Sequence, residues 1–196
     1  NPIIGTRAFG SHALQVKDHV CAFLNGMSTH HVMGCLKHFP GHGGVAEDSH
    51  ETLPVDGASR DQMQANYLPP FESAVKAGVG TLMSAFLDLN GIPATANRRL
   101  LTDVLRGEWG FDGFVVSDSN SIGELVAHGY VEDRKDAGKK ALLAGVDMDM
   151  VTESFRFDIP ELVEAGEIPV AVVDEAVRRV LRVKFLLGLF NHPYRT

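Results

Sequence analysis

The chain has 196 residues, 44% of them hydrophobic and 22% charged, enough for one domain with a sizeable core and without a disordered composition. With 18 Lys and Arg against 25 Asp and Glu the net charge is −7, which argues against a nucleic acid or an anionic membrane as partner and favours an uncharged one. No apolar run reaches the ~20 residues of a membrane span, and residues 1–10 carry no charged-then-apolar leader pattern, so the compartment stays open.

In chain order, residues 11–27 show helical spacing and are followed by the apolar run Val32–Lys37, which suits a buried strand. Cys21 in that helix and Cys35 in that strand read as small buried hydrophobes rather than a disulfide. A glycine-rich stretch then leads to a helix over 61–77, with Asp61 as a candidate N-cap, and to the second run, Val79–Phe86. A helix over 97–109, capped by Asn97, precedes Gly113–Asp118, and a helix over 134–144 precedes Gly145–Met150. A last helix, about 170–188, carries Val172, Val173, Ala176, Val180, Val183 and Leu187 at helical spacing and stops at Gly188. Strand-then-helix repetition without hairpin signals predicts an α/β fold with parallel strands, either a βα barrel or a doubly wound sheet. Lys37-His38, Ser84 and Ser117-Asp118 all stand at the C-terminal ends of their strands, which favours a TIM-type barrel. Such barrels run to about 250 residues. With only four clear strands, residues 1–196 are expected to be the C-terminal part of one, incomplete, with a sheet edge that further domains of the polypeptide or a second copy would cover.

The densest polar stretch is Lys37-His38-Phe39-Pro40-Gly41-His42-Gly43-Gly44, followed by Glu47-Asp48-Ser49-His50. It is too polar for core and too rich in glycine for a helix, so it reads as a loop at the mouth of a pocket or, more plainly, as a solvated loop. Lys37 and His38 are donors for a hydroxylated ligand, and Asp48 is placed to orient His50 as a general acid/base. A metal site of His38, His42 and His50 lacks the usual helical or paired-cysteine spacing, and no metal or organic cofactor is required. Asp118 emerges directly from Phe114-Val115-Val116-Ser117, where a rigidly held carboxylate serves either as a nucleophile or as the N-cap of a helix over 120–128. Met148 and Met150 read as core packing, and Asp147 and Asp149 as makers of cap or loop hydrogen bonds. Glu161, Glu164 and Glu167 read as a solvated helix face. Arg178, Arg179 and Arg182 read as surface residues pairing with Asp174 or Glu175.

These motifs, in this order, resemble glycoside hydrolase family 3 along nearly the whole chain. Lys37 to Gly43 looks like that family's substrate-binding strand end and Phe111 to Asp118 like its nucleophile strand. The resemblance implies a retaining, exo-acting β-glycosidase in which Asp118 forms a glycosyl intermediate and Arg7, Lys37 and His38 hold the terminal sugar of a carbohydrate substrate. Two branches mix. Asp48-Ser49-His50 is similar to the acid/base dyad of β-N-acetylglucosaminidases, whereas Met83 to Phe86, Asn90 to Asn97 and Leu105 to Gly110 look more like two-domain β-glucosidases. The latter take their acid from a glutamate in another domain. A non-catalytic carbohydrate-binding module and a metal-dependent hydrolase are the readings from other classes. After Asp118 the chain has Ser119-Asn120, where such glucosidases often carry an aromatic residue or a histidine.

Overall fold

The structure is a computed structural model that describes residues 4–45, 47 and 52–194. Helix α1 (Ala13–Ser28) leads into strand β1 (Cys35–Phe39), and β2 (Val55–Asp56) follows the glycine-rich loop. Helix α2 (Arg60–Gln62) widens into a π-helical segment, Met63–Tyr67, before α3 (Leu68–Lys76). Pro69 and Pro70 explain the widening: neither can donate to the preceding turn, so they sit at the start of α3 and the donors before them rearrange. Ser59, not Asp61, caps this helix, in a reciprocal capping box with Gln62. Strand β3 (Thr81–Ser84) comes next, and a small sheet combines β2 with β4 (Asp88–Leu89) and β5 (Ile92–Pro93).

The β4–β5 pair is an antiparallel hairpin, against the expectation of none. Its turn is Asn90-Gly91, with φ of 55° and 89°, the two positive values that a tight hairpin needs and that Asn and Gly tolerate best. A second π-helix, Arg99–Glu108, precedes β6 (Phe114–Val116); Asn97 Oδ1 accepts the Leu100 N–H at its start, as expected. Helices α4 (Ser121–Ala127), α5 (Arg134–Ala144), α6 (Ser154–Glu164) and α7 (Val170–Leu186) complete the chain.

The main sheet is parallel, ordered β1-β3-β6, with Met148 adding a single bridge to Val116. The fold is thus α/β with helices about a parallel sheet, and the sheet is open among the described residues. Three of the four apolar runs became strands, with shifted bounds. Val32 belongs to the turn after α1, its N–H bonded to the Met27 carbonyl, so pairing starts only at Cys35, opposite Thr81. Gly145–Met150 is not a regular strand because the Asp147 carboxylate, rather than a backbone carbonyl, takes the Val115 N–H at 2.8 Å. Met148 and Met150 are only half-buried.

Leu82 and Val115 on the sheet and Val146 just after α5 are fully buried, and Phe71, Ala74, Leu101, Leu105, Ile122 and Ala141 join the same core from the helices. A smaller cluster of Leu142, Ile159, Leu162, Ile168 and Ala176 joins α5, α6 and α7. Glu161 and Glu167 pair with Lys135 and Lys139 of α5 at 2.6 Å each. Arg178 and Arg179 both pair with Glu175, as expected, but Arg179 is also drawn inward to Asp147 and Arg182 reaches Asp112. Both cysteines are free, and Cys35 is exposed rather than buried, because β1 is the edge of the sheet.

Candidate active site

At the C-terminal end of the sheet, β1 and β6 each deliver one polar side chain. The β1–β3 register shifts between Leu36 and Phe39. That irregularity releases Lys37 and His38 from simple alternation and re-aims them, as bulges near sites commonly do. Phe39 anchors the strand beneath them. It is fully buried, edge-on to Phe71 at 5.3 Å and to Trp109 at 6.0 Å.

His38 Nε2 lies 3.4 Å from Asp118 Oδ2, with both side chains largely shielded from solvent. Burial pushes the His38 imidazolium down to about 4 against the pull of Asp118; Lys37, His42 and Arg7 push the same way as burial. At neutral pH the ring is therefore uncharged and offers a polar contact to the carboxylate, not a full counter-charge. The other Asp118 oxygen, Oδ1, accepts the Ser119 N–H at 2.8 Å. Asp118 does not cap α4 with its side chain: Asn120, in a left-handed conformation at φ 59°, occupies that position, and only the Asp118 carbonyl receives the Ser121 N–H.

Arg7, in a short 3-10 turn Gly5–Arg7, is exposed, as is Lys37. Both act electrostatically on His38, which brings Arg7, Lys37, His38 and Asp118 into one neighbourhood. His42 is buried with its ring 5.9 Å from that of His38. Asp48 and His50, the expected acid/base pair, lie outside the described residues. The loop between has a built base. An added Cβ at Gly44 would stand 1.7 Å from the Tyr67 hydroxyl and 2.9 Å from Asp56 Oδ2, so only glycine permits the close approach. Burial and the neighbouring Asp56 push the Tyr67 phenol up to about 12, keeping it a neutral donor. Asp56 in turn accepts the Ala58 N–H at 2.9 Å. The sequence marks Asp56 only as an acid closing the short apolar stretch Leu53-Pro54-Val55 and does not mark Tyr67.

Asp149 is a loop and cap residue, accepting the Phe155 N–H at 3.2 Å. Asp147 is buried between Arg106 at 2.5 Å and Arg179 at 2.9 Å. Among the described residues no three His, Cys, Asp or Glu side chains converge as metal ligands.

A carboxylate and a neutral imidazole thus stand together at one end of a parallel sheet in an α/β domain. The chain belongs to glycosyl hydrolase family 3: residues 1–183 match the description "Glycosyl hydrolase family 3 N terminal domain". It is 45% identical over 163 residues to a periplasmic beta-glucosidase of Salmonella typhimurium, covering 83% of this chain and 21% of that protein. It is 39% identical over 151 residues to a beta-hexosaminidase of Tolumonas auensis, covering 74% of this chain and 44% of that protein. The crystal structure of a beta-glucosidase from Listeria innocua superposes with a TM-score of 0.88 at 33% identity, over 94% of this chain and 26% of that one. The chain thus spans less than half the length of these relatives.

Proposed function

We propose that the protein carrying this chain is a retaining exo-β-glycosidase that hydrolyses a terminal β-linked sugar, β-N-acetylglucosamine or β-glucose, and that its open sheet is the C-terminal part of a TIM-type barrel. The observation that carries the reading is Asp118 at the end of β6, one oxygen fixed by a backbone N–H and the other facing a neutral His38. A nucleophilic carboxylate has to be ionised and held in one orientation; a cationic partner at the same distance would hold the charge back from the sugar.

In the first step Asp118 attacks the anomeric carbon while His50, oriented by Asp48, gives a proton to the leaving oxygen. In the second, water attacks the glycosyl–Asp118 ester, loses its proton to His50 and frees Asp118. Arg7, Lys37 and His38 hold the ring hydroxyls of the terminal sugar. Further domains or a second copy are the partners expected at the sheet edge. The second reading, a β-glucosidase whose acid is a glutamate elsewhere in the polypeptide, is favoured by the 45% identity to a beta-glucosidase. In it His50 has no part in proton transfer.

The test is hydrolysis of chromogenic β-glucoside and β-N-acetylglucosaminide by the intact protein and its variants. Asp118→Asn is expected to cut turnover on either sugar by more than about a thousandfold. His50→Ala should lose turnover in the dyad mechanism and leave the β-glucoside rate unchanged in the second reading. Sugar binding without turnover in the wild type would overturn both.

A further inference from the structure

His38 stands on β1 and Asp118 follows β6 by two residues, and the two strands do not touch: β3 runs between them. The β3–β6 ladder ends at Met83 and Val116, two residues short of Asp118. The backbone of Ser117 turns instead towards the last strand position, donating to the Met148 carbonyl, while its hydroxyl accepts the Met150 N–H. The 3.4 Å spacing of the two site groups therefore needs some other tie between β3 and the turn that carries Asp118.

Three buried hydroxyls form that tie. Ser84, the last residue of β3 and the register partner of Phe39, contacts Thr95 Oγ1 at 3.1 Å. Thr95 Oγ1 donates to Ser121 Oγ at 3.3 Å, and the Ser121 N–H donates to the Asp118 carbonyl at 3.1 Å. A hydroxyl has one proton, so the chain has one direction, from Ser84 to Thr95 to Ser121. All three residues are nearly inaccessible, at 0%, 2% and 3% exposure. Burying three hydroxyls is unfavourable unless they satisfy one another, and once they do, the arrangement admits few alternatives. Thr95 is itself firmly mounted, in the turn Ala94–Ala96 between the β4–β5 hairpin and the Asn97 cap. The Ala94 N–H also bonds to the Leu87 carbonyl at 2.8 Å.

We propose that Thr95 is a positioning residue that sets the place of Asp118 relative to His38 through the Ser84–Thr95–Ser121 hydroxyl chain. The inference rests on the reading of Asp118 as the attacking carboxylate. Removing the Thr95 hydroxyl leaves the Ser84 proton without its acceptor and frees the Asp118 turn from β3. The sugar still binds, but the carboxylate is no longer held in line with the anomeric carbon, and small misplacements of a nucleophile act on turnover more than on binding.

The experiment compares Thr95→Val, Thr95→Ser and Ser121→Ala in the intact protein with the wild type and with Asp118→Asn. Thr95→Val, which keeps the shape, is expected to lower kcat by about tenfold with KM within about twofold, and Thr95→Ser to restore kcat. Ser121→Ala should follow Thr95→Val, and it decides the matter if Thr95→Val does not fold. A folded Thr95→Val or Ser121→Ala enzyme with wild-type kcat overturns the proposal, as does a loss that Thr95→Ser fails to rescue. Normal turnover by Asp118→Asn overturns the nucleophile reading instead, so the two failures are distinct.

Discussion

The two ends of β6 are secured by opposite chemistries. At its entry, Asp147 is buried with Arg106 and Arg179 and takes the Val115 N–H, while Arg106 also donates to the Gly113 carbonyl at 2.9 Å. Burial pushes the Asp147 carboxyl up and the Arg106 guanidinium down, each against the attraction of the other. At its exit, the groups that meet the Asp118 carboxylate are a backbone N–H and a neutral imidazole, while the cationic Arg7 and Lys37 act in the same neighbourhood from exposed positions. Strong charge pairing is suited to holding a strand where no chemistry happens. Beside a carboxylate that attacks, as proposed for Asp118, such pairing would lower reactivity, and neutral contacts orient it without that effect.

The sharpest way to break this contrast is Asp147→Ala. It leaves two arginines facing a buried gap, and is expected to cost about 3–5 kcal/mol of stability in urea unfolding, while kcat per folded molecule stays near wild type. A change in kcat as large as that of Thr95→Val would erase the distinction between the two ends. The next effect is a pH dependence at the exit end. His38 titrates at about 4 in the folded chain and at the ordinary 6.5 when unfolded. Between these values the unfolded state binds the extra proton, so stability from this group is complete above pH 6.5 and is lost as pH falls towards 4. Unfolding midpoints at pH 7 and pH 4.5 measure it, and His38→Gln should flatten this contribution; an unchanged slope in that variant would show that the ring is not held neutral. The smallest effect is Arg179→Gln. Asp147 keeps Arg106, so the loss is expected to be about 1 kcal/mol, read from the same unfolding curves. A loss as large as that of Asp147→Ala would mean that Arg179 carries the cluster.

The amino-acid sequence by itself determined the alternation of buried apolar runs with helices, because strand burial and helical spacing are local patterns of side chains. It also placed Lys37, His38 and Asp118 at strand ends, since a polar residue closing an apolar run marks where the strand leaves the core. Even the hairpin is written there, as Asn90-Gly91, but strands only two residues long leave no alternation beside the turn to mark it. What only the tertiary structure decided depends on partners distant in the chain. Asp147 reads as one more acid at a strand end until Val115, Arg106 and Arg179 converge on it from three elements. Ser84, Thr95 and Ser121, separated by 11 and 26 positions, become one hydrogen-bonded chain only when β3, the 94–96 turn and α4 meet. Spacing in sequence carries no record of such contacts, and the neutrality of His38 arises from burial and surrounding charge that exist only once the chain is folded.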